Sequence, residues 1–167
     1  MGAVTRVLLT GMSGAGKSTV IARLAELGYE AVDLDSPAWS MYDEDRDWVW
    51  REERVRRLLD DAGRDPLFVS GCATNQVKFH DRFDHIILLS APAEVLVERL
   101  LTRTNNDYGK RPEELADVLG YLETVEPRLR RVAGHEIDTH SPVGDVVSAI
   151  LEAVGRGRLR GDDLRGN

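Results

Sequence analysis

One octapeptide, Gly11-Met12-Ser13-Gly14-Ala15-Gly16-Lys17-Ser18, constrains this chain more than any other feature. It fits the pattern G-x-x-x-x-G-K-[ST]. It stands between an apolar run at 6–10 and the helical spacing of Val20, Ile21, Leu24 and Leu27, which makes it a strand–loop–helix junction. Glycines let successive backbone N–H groups turn inward around a polyphosphate, and the helix that follows presents its positive end to the anion. Gly11, Ser13, Gly14, Ala15, Gly16 and Thr19 are the expected cradle. Lys17 is placed to reach the β- and γ-phosphates, and the Ser18 hydroxyl to ligate Mg²⁺, a hard cation that takes oxygen ligands. The loop thus implies a nucleoside triphosphate, ATP or GTP, with Mg²⁺.

The rest of the chain alternates short apolar runs with amphipathic helices. Strands are expected at 6–10, 30–34, 67–70, 85–89 and 135–138, and the continuously apolar run at 85–89 reads as the sheet centre. Pro92 opens a helix bearing Val95, Leu96 and Leu100. Pro112 opens another bearing Leu115, Val118, Leu119 and Leu122, which Pro127 kinks or ends. Ser141-Pro142 caps a last helix whose apolar stripe runs from Val143 to Val154 and stops at Gly155. This order predicts an α/β, three-layer fold with a parallel five-stranded sheet and helices on both faces. At 167 residues the chain is expected to be one domain over 1–154. It would carry an insertion at about 36–65, a lid at about 103–112 and a flexible tail over 155–167.

Composition narrows the partners. With 22 Lys+Arg against 29 Asp+Glu the formal charge is −7, which argues against nucleic acid. The lone Cys72 has no disulfide partner, and no Cys/His group has zinc spacing. No apolar run is long enough to cross a bilayer, and no signal-peptide layout opens the chain, so the expected compartment is the cytoplasm. The expected partner is a small-molecule acceptor, with no nucleic acid and no membrane, the chain acting as a monomer or homodimer.

Acids and arginines gather where such an acceptor would sit. Asp33 and Asp35 follow the second strand, whose end shares a crevice with the phosphate loop in a parallel sheet. Two carboxylates there serve two roles, one assisting Mg²⁺ and one accepting the proton of an attacking hydroxyl. The insertion holds all three tryptophans (Trp39, Trp48 and Trp50) ahead of a helical stretch at 51–59, on which Arg51 and Arg54 share a face. Gly71, Cys72 and Asn75 follow the third strand and are further candidates for the acceptor wall. Arg99 and Arg103 lie one helical turn apart, Arg99 reading equally well as part of a solvated face. Residues 105–111 follow as a polar loop ending in Arg111-Pro112, the pattern of a lid that closes over a nucleotide.

This ordering of phosphate loop, D-x-D, glycine-containing turn and arginine lid resembles shikimate kinase, over most of the chain to about Val154. The resemblance implies that Asp35 is the substrate-contacting base and Asp33 acts on Mg²⁺. It further implies that Arg103 lies against the adenine and Arg111 on the phosphates. Thr139 and Ser141, in Ile137-Asp138-Thr139-His140-Ser141-Pro142, would then flank the adenine, and Trp50-Arg51 would bring Arg51 near an anionic substrate. Two departures argue against shikimate itself. Ser70-Gly71-Cys72 stands where that family has three glycines, and Val125 where it has a carboxylate-holding arginine. Asp43-Glu44-Asp45-Arg46-Asp47-Trp48 resembles an element of gluconate kinases, without its proline. The expectation is an ATP- and Mg²⁺-dependent kinase of a small polar or anionic metabolite, with Lys17, Asp35 and Arg111 catalytic. A nucleoside, nucleotide or antibiotic kinase and a non-catalytic ATP-binding regulatory module remain as alternatives.

Overall fold

A computed structural model describes residues 4–163, with side chains through 155. Seven strands form: β1 (Arg6–Thr10), β2 (Glu30–Asp33), β3 (Ser40–Tyr42), β4 (Trp48–Trp50), β5 (Leu67–Ser70), β6 (His85–Ser90) and β7 (His135–Asp138). The six α-helices are α1 (Lys17–Glu26), α2 (Glu52–Asp60), α3 (Ala93–Thr102), α4 (Pro112–Thr124), α5 (Glu126–Val132) and α6 (Val143–Asp163). Five strands make one parallel sheet in the order β2-β5-β1-β6-β7.

The sheet centre is β1, not β6 as the apolar run at 85–89 implies. Both strands have neighbours on each side, and that double burial accounts for the unbroken apolar run in β6. Only β1, however, feeds the phosphate loop, so its neighbours' C-terminal ends border that loop on both sides. The pleat sends Val7 and Leu9 to a face covered by α1, α3 and α6, where they meet Val20, Leu24, Leu96 and Ile150. It sends Leu8 to the opposite face, against Leu34, Val55 and Leu59, while Leu88 on that face meets Leu129 of α5. The expected three layers follow from this alternation.

Two boundaries differ from the sequence reading. Pro127 falls in the first turn of α5, where its missing N–H costs nothing, so α4 ends at Thr124 and a separate helix begins. Helix α6 continues past Gly155 to Asp163, correcting the tail expected from 155; residues 164–167 lie outside the described residues. A glycine inside a helix costs only about 1 kcal/mol relative to alanine, too little to stop it.

The insertion holds a β-hairpin that its charges conceal. Strands β3 and β4 pair antiparallel, Tyr42 opposite Trp48, around a turn in which Asp43 Oδ1 accepts from Asp45 N and Asp47 N, each at 2.9 Å. The side chain of Asn75 then mimics another strand. Its Oδ1 accepts from Trp50 N at 2.8 Å, and its Nδ2 donates to Trp50 O at 3.0 Å and Glu52 Oε2 at 3.1 Å. Asn75, expected on the acceptor wall, is thereby taken up in holding β4. Asn75→Ala leaves the Trp50 backbone N–H without this partner, and should destabilise the fold by about 1–3 kcal/mol. Urea unfolding of the two proteins measures this.

Candidate functional site

Glycine geometry builds the loop. A Cβ on Gly11 would lie 2.3 Å from Leu89 O, so only glycine lets the end of β1 pass this close to β6. Gly16, at φ 94°, caps α1 in the left-handed region that disfavours other residues. Lys17 is 8% exposed, and its Nζ donates to Gly11 O at 2.6 Å and Met12 O at 3.1 Å. The same ammonium lies 3.8 Å from Asp35 Oδ2. Ser13, Gly14, Ala15 and Thr19 complete the loop and the first turn of the helix, as expected.

The two acids divide as their positions require. Asp33 Oδ2 accepts from Ser18 Oγ at 2.7 Å, and its Oδ1 accepts from Asp35 N at 2.9 Å and Ser70 Oγ at 3.5 Å. A serine hydroxyl and a carboxylate in contact beside a phosphate loop are hard oxygen donors, and that donor set fits Mg²⁺. No cluster of three or more His, Cys, Asp or Glu able to hold a metal ion occurs among the described residues.

Asp35 is partly buried, its side chain 26% exposed. Its Oδ1 accepts from Trp48 Nε1 and from Cys72 N, both at 3.2 Å. Burial raises its pKa above the ordinary aspartate value; Lys17 and the Cys72 N–H pull the other way without cancelling that effect. The result is a carboxylate with more basicity than an exposed one, aimed beside the lysine. Gly71 lies against it: a Cβ there would come within 3.0 Å of Trp50 Nε1 and 3.3 Å of Asp35 Oδ1. Burial likewise raises the Cys72 thiol, which keeps it in the inert neutral form.

Trp48 is the residue that sequence reasoning missed. Its indole reaches Asp35 only because the hairpin folds back over the end of β2. The signals were the concentration of tryptophan in the insertion and the place of Trp48 at the end of the Asp43-Glu44-Asp45-Arg46-Asp47-Trp48 element.

The arginines are redistributed. Arg99 is no solvated residue: Nη1 donates to Gly14 O at 3.1 Å and Thr139 Oγ1 at 2.9 Å, and Nη2 to Thr139 O at 2.6 Å. Thr139, 5% exposed, donates its hydroxyl to Ala15 O at 2.7 Å. This pair clasps the phosphate loop to the turn after β7, so Thr139 supports the loop from behind. Arg103 donates to Asn106 O at 3.0 Å and Tyr108 O at 2.6 Å, shaping the lid from within. Arg111 is the exposed N-cap of α4 at the end of that lid. Arg51 is directed to the turn before β3 and to its middle residue, through Pro37 O at 3.2 Å and Met41 Sδ at 3.6 Å. A cleft of about 380 Å³ opens beside the loop between Thr19, Arg23, Asn105 and Val143; Val143 follows the exposed Ser141 in the chain. Of its lining, only Ser18 and Thr19 were among the expected site residues.

Comparison with known proteins agrees with this geometry. The AAA domain family matches residues 7–120. A nucleotide-binding protein of Oceanobacillus iheyensis is 36% identical over 98 residues, covering 56% of this chain and 33% of that protein. A nucleotide-binding protein of Burkholderia multivorans is 30% identical over 156 residues, covering 80% of this chain and 47% of that one. The chain therefore spans between a third and a half of these curated relatives. Among solved structures, shikimate kinase from Acinetobacter baumannii in complex with shikimate superposes with a TM-score of 0.67 at 22% identity, over 93% of this chain and 96% of that one. A gluconokinase from Sinorhizobium meliloti superposes with a TM-score of 0.64 at 22% identity, over 100% of both chains. The fold is thus that of the small P-loop kinases.

Two outcomes follow from the site's electrostatics and clasp. Because the Asp35 pKa is raised on folding, its ionised form costs stability above the folded pKa, and that cost vanishes as pH falls toward the ordinary value. Asp35→Asn should therefore melt higher than the parent at pH 7–8, with the gap closing towards pH 4, as thermal unfolding across pH would read. Arg99→Ala removes charge-assisted bonds to two loops. It should cost about 1.5–3 kcal/mol by urea unfolding and weaken nucleotide affinity measured by calorimetry.

Proposed function

This chain belongs to the AAA domain family, and on that premise we propose that it is an ATP- and Mg²⁺-dependent phosphotransferase that moves the γ-phosphoryl group to a hydroxyl of a small polar metabolite. The observation that carries the reading is Asp35, a carboxylate of raised basicity 3.8 Å from the loop lysine. A module that only binds nucleotide has no use for such a base.

In this reading the triphosphate lies along 11–19, with its base toward the cleft beside Asn105. Ser18 and Asp33 would hold Mg²⁺, which supplies charge neutralisation to the phosphates. Asp35 takes the acceptor's hydroxyl proton as the acceptor oxygen bonds to the γ-phosphorus and the bond from that phosphorus to the β-phosphate oxygen breaks, releasing ADP. Lys17 carries positive charge to the transferring group. Arg111, with no described hydrogen bond or ion pair to its guanidinium, is free to reach the same group when the lid closes. Phosphoryl transfer is mostly positioning and electrostatics, so a small domain with one lid suffices. Gly71 and Cys72 border the acceptor through their contact with Asp35. The same reading keeps the protein in the cytoplasm, as a monomer or homodimer. No described helix is long and apolar enough to cross a membrane.

The test is ADP release with MgATP over a panel of hydroxylated metabolites, with Lys17→Ala as the blank. Asp35→Asn should bind ATP nearly as tightly as the parent and lose about 10²–10⁴-fold in turnover. The parent's kcat/KM should fall on the acid side through an apparent pKa above the ordinary carboxylate range. Full turnover in Asp35→Asn, or ATP binding with no release on any acceptor, would remove the kinase reading.

A further inference from the structure

The two oxygens of the Asp35 carboxylate are not equivalent. Oδ1 accepts from the indole Nε1 of Trp48 and from the backbone N–H of Cys72, each at 3.2 Å, which occupies both of its lone pairs. Oδ2 receives no hydrogen bond from a described residue, and the Lys17 ammonium stands 3.8 Å from it. One oxygen is held and the other is open.

The two donors reach the same atom because the elements that carry them are stapled together. The carbonyl of Trp48, at the start of β4, accepts from Thr74 N at 3.0 Å. Two residues on, the side chain of Asn75 bonds the Trp50 N–H at 2.8 Å and its carbonyl at 3.0 Å. The hairpin therefore runs beside residues 72–75, and an indole from one and a backbone N–H from the other converge on Oδ1. Gly71 leaves the room for this. Its φ is not in the left-handed region, so the need for glycine is spatial: a Cβ would meet Trp50 Nε1 at 3.0 Å and Asp35 Oδ1 at 3.3 Å. Trp50 is fixed in place at 1% exposure against Phe79. Trp48 is only half-buried, its ring 4.9 Å from that of Tyr42, and its N–H is what ties the insertion to the carboxylate.

An aspartate left to itself turns about two side-chain bonds, and a base out of line with its proton is of little use. Resting on the kinase reading above, we infer that Trp48 is a positioning residue: its indole N–H, with the N–H of Cys72, pins Oδ1 of Asp35 so that Oδ2 is the oxygen that takes the acceptor's proton. The acceptor oxygen bonds to the γ-phosphorus as that proton leaves. The bond from the phosphorus to the β-phosphate oxygen breaks, and its electron pair departs with ADP. Trp48 touches none of these atoms and acts through Asp35.

Two measurements test this, one of them without any acceptor. In the first, ¹H–¹⁵N spectra of the nucleotide-free protein resolve the indole N–H signals, and Trp48→Phe or Trp48→His identifies that of Trp48 by its loss. Asp35→Asn replaces a charged acceptor by a neutral one, so the Trp48 signal should move upfield and that of Trp39 should stay. An unmoved Trp48 signal overturns the inference. In the second, ADP release is followed on an acceptor from the panel above. Trp48→Phe keeps an aromatic ring against Tyr42 but has no donor; it should lose about 10- to 100-fold in kcat with the KM for MgATP unchanged. Trp48→His carries an Nε2–H at the same ring position as the indole N–H and should recover most of that loss. Full kcat in Trp48→Phe, or equal losses in the two variants, overturns the positioning role and leaves the kinase standing. A parent that releases no ADP on any acceptor removes the kinase reading and the positioning role with it, whatever the indole signal does.

Discussion

A lysine held at 8% exposure must keep its charge satisfied, and the architecture around Lys17 does this from three directions. Gly11 and Met12 offer carbonyls, and Asp35 offers a carboxylate at 3.8 Å. Gly11 can do so only because it lacks a Cβ against Leu89, and Asp35 only because β2 runs parallel to β5 and delivers its end into the same crevice. Sheet order, loop conformation and the basicity of Asp35 are thus tied to one ammonium group.

The two halves of the crevice are built by different means. On the nucleotide side, Arg99 and Thr139 pin the loop from behind with short, charge-assisted bonds, so the cradle is rigid before any phosphate arrives. Beside Asp35 the wall is a two-stranded hairpin, too small to stand alone. It borrows its stability from Asn75 and from the burial of Trp50 at 1% exposure against Phe79.

Much of this was legible beforehand. The five parallel strands fall where the short runs placed them; the three inner strands, β1, β5 and β6, are buried and leave an unbroken apolar pattern, while the partly exposed edge strands β2 and β7 show a weaker one. The acids after the second strand meet Lys17 and Ser18 as the motif's context requires. What stayed hidden has a common cause. Strands of three residues, as in β3 and β4, carry too few side chains to show a period, and the Asp43 turn reads as an undirected run of charge. Arg99 and Arg103 look alike along the chain, yet one clasps the loop and the other shapes the lid, because helix spacing says nothing of which carbonyls lie opposite.

The sequence by itself determined the phosphate cradle, the parallel α/β order and the pairing of Asp33 with Asp35, since each depends on residues near one another along the chain. Glycine conformations, helix caps and strand ends are local properties. The tertiary structure decided which strand is central, that Trp48 rather than Asn75 touches Asp35, and that Arg51, Arg54 and Arg103 donate to backbone carbonyls instead of to Asp35. The strand order and the Trp48–Asp35 contact, 13 positions apart, depend on packing between separate elements, which selects among side chains that local chemistry leaves equivalent.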